Sequence, residues 1–86
     1  MSSHDGRLVY MANQIGKFFQ SQGHDKAVSG VADHIKKFWD PRMLAGIFAH
    51  LDAGGADLDP NVREAIAALK AKDGANNAAN SAETHG

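Results

Sequence analysis

Hydrophobic residues in the first half of the chain recur at steps of three and four, the spacing of one helical face. Two such stripes comprise Leu8, Met11, Ala12, Ile15, Phe18 and Phe19, and then Val28, Val31, Ala32, Ile35, Phe38 and Trp39. Gly23 is expected to end the first helix, because glycine adopts left-handed backbone angles at little cost. Asp25 is the predicted N-cap of the second helix.

Two further helices are predicted, and each begins at an Asp-Pro pair, Asp40-Pro41 and Asp59-Pro60. Aspartate is a favoured N-cap, and proline suits the first helical position. The third helix is expected to end at Gly54-Gly55. The two stripes are Met43, Leu44, Ile47, Phe48 and Leu51, and then Val62, Ala65, Ile66 and Leu69. No segment alternates with a period of two, so the sequence predicts an all-α fold, a small bundle of about four short helices.

The domain organisation follows from composition. Residues 6–72 form the predicted helical domain, and residues 1–5 form a flexible N-terminus. The closing stretch GANNAANSAETHG has no large apolar residue to bury. Residues 73–86 are therefore predicted to be a disordered tail. A single domain this small buries only about 60–65% of its unfolded surface, so marginal stability is expected.

Several function classes are disfavoured by composition. The chain has no cysteine, which excludes disulfides, iron–sulfur ligation and thiol catalysis. Its formal net charge of -1 argues against a dedicated nucleic-acid binder. No apolar run approaches the ~20 residues of a membrane span, and the start is too polar for a secretory signal. A cytoplasmic location is expected.

No catalytic or metal-binding arrangement can be assembled from the sequence. The five histidines are scattered over different predicted elements, and none forms a pair at helical ligand spacing. No serine has the histidine base and the positioned turn that a serine nucleophile needs. Gly54-Gly55 lacks the lysine and the serine or threonine of a phosphate loop. We expect no catalytic, cofactor-binding or metal-binding residue, and no independent enzymatic activity.

Adjacent aromatic pairs favour a binding module. Neighbouring helical residues point about 100° apart, so Phe18-Phe19 and Phe38-Trp39 cannot each lie on one narrow core stripe. Phe18 and Phe38 are compatible with a broad core face or with exposure. Trp39, at a helix end beside charged residues, is expected to be partly exposed, and tryptophan is enriched at interface hot spots.

Charged residues near this junction leave alternatives open. Arg42, in the first turn of the third helix, is unfavourably placed in the helix dipole. It is interpreted either as pairing with an acidic group, on this chain or a partner, or as a solvated side chain. Lys36 and Lys37 form a small positive patch of the kind that contacts nucleic acid, and the negative charges of Asp33 and Asp40 reduce its net charge. The alternative function is therefore a free-standing small helical regulator or nucleic-acid-binding protein.

Three segments carry a resemblance to a known family. The stretches LVYMANQIGKFF, VADHIKKFWDPRM and LDPNVREAIAALK, in this order, resemble the delta subunit family of NAD-dependent formate dehydrogenases. They span nearly the whole predicted helical domain. In the family pattern a basic residue commonly follows WDPRM, whereas this chain has Leu44 there.

The resemblance implies a non-catalytic accessory subunit of a soluble bacterial formate dehydrogenase that assists assembly, maturation or stability. The implied complex carries a molybdenum or tungsten bis-pterin cofactor, iron–sulfur clusters and FMN in its large subunits, and none on this chain. The expected partner is a large subunit, above all the molybdenum-containing catalytic subunit, with neither nucleic acid nor membrane involved. Predicted partner-binding residues are Asn13, Phe19, Phe38, Trp39, Asp40, Pro41, Arg42 and Met43.

Overall fold

The computed structural model describes the backbone of residues 3–85 and the side chains of residues 6–73. A short 3-10 helix, Gln20–Gln22, joins the first two α-helices, and the described backbone contains no strand. The α-helices are α1 (Ser3–Phe19), α2 (His24–Phe38), α3 (Pro41–Asp52) and α4 (Pro60–His85). The predicted all-α fold of four helices is confirmed.

The two predicted ends fall mostly outside the described side chains. The predicted flexible N-terminus, residues 1–5, lies outside them, and so does the predicted tail of residues 73–86, apart from the exposed Asp73. Among the described residues, no helix has the length and apolar character needed to cross a bilayer.

Both Asp-Pro helix starts are confirmed. Pro41 is the first residue of α3, and a carboxylate oxygen of Asp40 accepts a hydrogen bond from the backbone N–H of Met43 at 2.8 Å. At α4, the backbone N–H of Arg63 donates to the carbonyl oxygen of Asp59 at 2.8 Å. The Asp40 side chain satisfies an N–H group that has no partner within its helix, whereas the bond to the Asp59 carbonyl is the first backbone hydrogen bond of α4.

The predicted N-cap of α2 is wrong. The helix begins at His24, its N-cap is Gly23, and no side chain caps it. Gly23 has a φ of 97°, which a residue with a side chain rarely adopts. Asp25 lies instead inside the first turn, where its negative charge interacts favourably with the positive end of the helix dipole.

The core lies where α2 packs on α1 and α4, and where α3 packs on the same two helices. Ile35, Ile47 and Ile66 are its largest fully buried side chains. Each such burial contributes about 1.5–3 kcal/mol. The buried cluster comprises Leu8, Val9, Ala12, Val31, Ile35, Trp39, Ile47, Leu58, Val62, Ala65 and Ile66.

Asn13 fixes the loop between α3 and α4. Its side-chain amide donates to the carbonyl oxygen of Asp57 at 2.9 Å, and its side-chain oxygen accepts from the backbone N–H of Asp59 at 2.9 Å. On the other side of the loop, the His50 ring donates through Nε2 to the carbonyl oxygen of Ala56 at 2.7 Å. The loop geometry that positions the start of α4 therefore depends on a residue of α1.

Gly16 allows α1 and α4 to approach closely. A Cβ atom added to Gly16 would overlap a methyl group of Val62, which is fully buried and has no room to yield. Overpacking of this kind costs about 1–3 kcal/mol. Gly6 lies on the same helix, and a Cβ atom there would meet nothing within 4 Å.

We expect Gly16→Ala to lower the free energy of unfolding relative to Gly6→Ala by about 1–3 kcal/mol. Both substitutions gain helix propensity, up to about 1 kcal/mol, so the comparison isolates the overlap with Val62. Urea denaturation of the two variants measures the difference. Equal stability would show that α1 and α4 can separate at this point without cost.

Candidate protein-docking surface

Two phenylalanine rings are exposed on neighbouring helices. Phe18 on α1 is 74% exposed and Phe38 on α2 is 70% exposed. The next residue in each pair turns inward, since Phe19 packs against the core and Trp39 is part of it. Of the two alternatives left open by the sequence, exposure is therefore the correct one for Phe18 and Phe38. Large exposed apolar side chains on two helices that pack together indicate an interaction surface.

The exposed rings border a depression between α1 and α2, which we call the aromatic cleft. It has two adjoining parts, and Phe19 and His34 line both of them. Its lining residues are Gln14, Ile15, Phe18, Phe19, Gly30, Asp33, His34, Lys37 and Phe38. The cleft therefore presents apolar and aromatic surface to the solvent along both helices.

Ring contacts order the walls of the aromatic cleft. Phe18 and Phe19 pack edge to face, with ring centroids 5.0 Å apart and an interplanar angle of 89°. His34 and Phe38 lie one turn apart on α2, with centroids 4.7 Å apart. Aromatic rings prefer edge-to-face and offset arrangements of this kind. These pairings limit the rotation of the exposed rings before any partner arrives.

Gly30 shapes the floor of the cleft. A Cβ atom at this position would lie 2.6 Å from the Phe19 ring, so the ring lies directly over the α2 backbone. Any larger residue would force Phe19 outward. The absence of a side chain at Gly30 thus sets the depth of the cleft.

The rim of the aromatic cleft carries both signs of charge. Asp33 and Lys37 line it and are exposed. Among the described side chains neither forms an ion pair, because the three salt bridges involve other residues. An apolar centre with a polar rim is the usual anatomy of a protein–protein interface.

A comparison with protein families decides what the chain is. Residues 7–66, more than half of the 86-residue chain, match the family model of the NADH-dependent formate dehydrogenase delta subunit FdsD. The chain belongs to this delta subunit family. The matched region contains the whole aromatic cleft and the junction between α2 and α3. Neither the curated proteins nor the solved structures contain a match to the chain.

One expectation for this delta subunit family member is wrong. Trp39 was expected to be partly exposed, but only 7% of it is exposed. The residue ends α2 in an extended conformation, with φ -92° and ψ 137°, while its backbone N–H still donates to the carbonyl oxygen of Ile35. The chain turns at this point, and the indole ring is placed in the core. Trp39 is therefore a packing residue in this fold.

The remaining predicted partner-binding residues divide by position. Asp40, Pro41 and Arg42 are exposed at the junction between α2 and α3. Met43 is half-buried against the core, and so is Phe19. Asn13 is engaged with the loop between α3 and α4. Among the described side chains Arg42 forms no ion pair, so its pairing with an acidic group of this chain has no support in the geometry.

Sequence reasoning missed most of the aromatic cleft. Phe38 and Phe19 were predicted, but Gly30 and His34 on α2 were not assigned to a binding surface. Their spacing on α2 carries the signal, because residues 30, 34 and 38 share one face at steps of four. The facing residues of α1 become neighbours only after the two helices pair.

His24 links the start of α2 to α4. Its Nε2 lies 2.8 Å from a carboxylate oxygen of Glu64, and both side chains are more than half exposed. The hydrogen bond that His24 donates to Glu64 is the main reason that the pKa of His24 is raised above 6.5, and the negative charge of Glu64 adds to it. The protonated histidine therefore ties the two helices together.

The pair predicts a small pH dependence of stability. Since the folded pKa of His24 is raised, the stabilisation is fully present below pH 6.5 and is lost as the pH rises through the raised pKa. NMR titration of the His24 ring should show this pKa, and Glu64→Gln should return it toward 6.5. An unchanged His24 titration in the Glu64→Gln variant would contradict the pairing.

Proposed function

We propose that this chain is a non-catalytic accessory subunit that docks on the molybdenum-containing catalytic subunit of a formate dehydrogenase through its aromatic cleft. The observation that carries the proposal is the exposure of Phe18 and Phe38 around one cleft, within the region that matches the family. The docked chain assists assembly, maturation or stability of the complex. Aromatic anchors at the centre of an interface supply most of its binding free energy.

The chemistry of the described residues supports a role without catalysis. No polar or charged side chain is buried among them, so none lies in the desolvated setting that tunes catalytic acids and bases. The same residues contain no group of three or more His, Cys, Asp or Glu side chains able to hold a metal ion. The full sequence has no cysteine for an iron–sulfur cluster. We therefore assign the bis-pterin cofactor, the clusters and FMN to the larger subunits.

Co-isolation tests this proposal. The tagged chain is recovered from its native cells at moderate salt, and the eluate is assayed for formate-dependent NAD reduction and analysed for its proteins. We expect the large formate dehydrogenase subunits and the activity to appear together, and the isolated chain to show no activity. Recovery of salt-sensitive nucleic acid without those subunits would favour the regulator alternative and contradict the proposal.

A further inference from the structure

A second apolar depression lies between α3 and α4, and we call it the α3–α4 groove. It is formed by two adjoining hollows that share Leu44, Phe48 and Asp73. Its lining residues are Lys36, Pro41, Leu44, Ala45, Phe48, Leu69, Lys72 and Asp73. The aromatic cleft and the α3–α4 groove have no lining residue in common.

The floor of the groove has the form that accepts a helix. Pro41, Leu44, Ala45 and Phe48 follow each other at steps of three, one and three on α3, so they share one face. Leu44, Phe48 and Leu69 pack against the core and are only half-buried, so each keeps a side open to solvent. Two helices with apolar residues between them form the kind of channel in which an amphipathic helix lies.

The rim of the groove is net basic. Lys36 comes from α2 and Lys72 from α4, and both are exposed. Neither lysine pairs with an acid among the described side chains. Asp73 adds one negative charge at the α4 end. Carboxylates on an occupant that face the two lysines attract it toward the groove and fix its position along the groove.

A second copy of this chain fits the groove poorly. In a symmetric dimer the same patch meets itself, so two net basic rims would face each other. Such an arrangement brings four lysines and only two aspartates together. Like charges across an interface act against the association.

The two surfaces face in different directions. His34 lines the aromatic cleft and Lys36 lines the α3–α4 groove. Residues two apart on a helix point about 200° apart, so the surfaces lie on opposite sides of α2. A subunit seated in the aromatic cleft therefore leaves the groove open to another segment.

We infer that the α3–α4 groove binds an acidic amphipathic helix from a larger subunit of the same complex, so that the chain bridges two segments of the assembly. This inference rests on the proposed function, since it takes the occupant from the same complex. The helix carries apolar residues toward Leu44, Phe48 and Leu69, and carboxylates toward Lys36 and Lys72.

Site-specific photo-cross-linking in the assembled complex tests the inference. Benzoylphenylalanine replaces Ala45 in the groove or Gln14 in the aromatic cleft, both of which are exposed. Mass spectrometry then identifies the attached peptides. We expect position 45 to attach to a large-subunit segment with a helical apolar pattern and acidic residues, distinct from the segment attached to position 14.

Charge reversal supplies the matched control. Lys36→Glu with Lys72→Glu should lower the cross-linking yield from position 45 at least about tenfold, because two attractive contacts become repulsive. Arg7→Glu with Lys26→Glu makes the same change in net charge at exposed positions that line neither surface, and it should leave the yield unchanged.

Each other outcome contradicts one claim. If position 14 attaches to a large subunit but position 45 attaches to nothing, to a second copy, or to a segment without acidic residues, the groove inference is wrong and the proposed function stands. The inference also fails if charge reversal leaves the yield unchanged. If neither position attaches to a formate dehydrogenase subunit, the proposed function itself is wrong.

Discussion

Replacing Trp39 with alanine is expected to lower the free energy of unfolding of the isolated chain by about 3–5 kcal/mol. The indole ring is 7% exposed and belongs to the buried cluster that joins all four helices. Its removal leaves a cavity at the junction between α2 and α3, which the surrounding side chains can fill only in part. A domain of this size has a total stability at the low end of about 5–15 kcal/mol, so the variant should retain little net stability.

Circular dichroism during thermal and urea denaturation measures this effect. Trp39→Phe is the control, because it keeps an aromatic ring in the same space and should retain most of the helical signal. A Trp39→Ala chain with an unchanged unfolding transition would place the indole outside the core and contradict its assignment as a packing residue.

Replacing Phe18 and Phe38 together with serine is expected to weaken binding to the larger formate dehydrogenase subunits by about 100-fold or more. Both rings are mostly exposed in the free chain and border the aromatic cleft. Since the rings bury little in the free chain, the free energy of unfolding should change by only about 0.5 kcal/mol. The measurement is the equilibrium affinity of the chain for a complex isolated from cells that lack it.

Tyr10→Ser provides the matched control for this prediction. Tyr10 is 65% exposed on α1 but lines neither the aromatic cleft nor the α3–α4 groove. Its replacement removes an exposed aromatic ring of similar size and should leave the affinity unchanged. An equal loss of affinity in both variants would mean that general hydrophobicity, rather than the cleft, governs association.

Local signals in the sequence predict the helical architecture well. The Asp-Pro pairs at 40–41 and 59–60 set the starts of α3 and α4 because capping and proline geometry involve only a few neighbouring residues. The start of α2 was less well predicted, since Gly23 caps it without a side chain. Gly23 adopts a backbone φ of 97°, but the glycine in the sequence does not by itself distinguish the start of a helix from its end.

The assignment of aromatic residues to core or surface depends on tertiary packing. Trp39 stands beside charged residues in the sequence, yet the extended backbone at the helix end places its ring in the core. Phe38, one residue earlier, still follows the helical twist and points outward. Periodicity alone does not separate the two, because the difference arises where the periodicity ends.

Long-range contacts also lie beyond sequence reasoning. Asn13 was predicted to contact a partner, but its amide bonds the backbone of residues 57 and 59, which lie 44 and 46 positions away along the chain. The aromatic cleft likewise forms only because α1 and α2 pair at Gly30. Polar and small residues on the two helices therefore gain their roles from the fold as a whole.

Hydroxyl-radical footprinting of the free chain and of the assembled complex tests the central claim most directly. The method reports the solvent exposure of individual aromatic side chains, and the chain offers Phe18, Phe38 and Tyr10 as exposed probes. Docking through the aromatic cleft predicts strong protection of Phe18 and Phe38 in the complex, while Tyr10 keeps its oxidation rate. Phe18 and Phe38 that oxidise as fast in the complex as in the free chain would contradict docking through this surface.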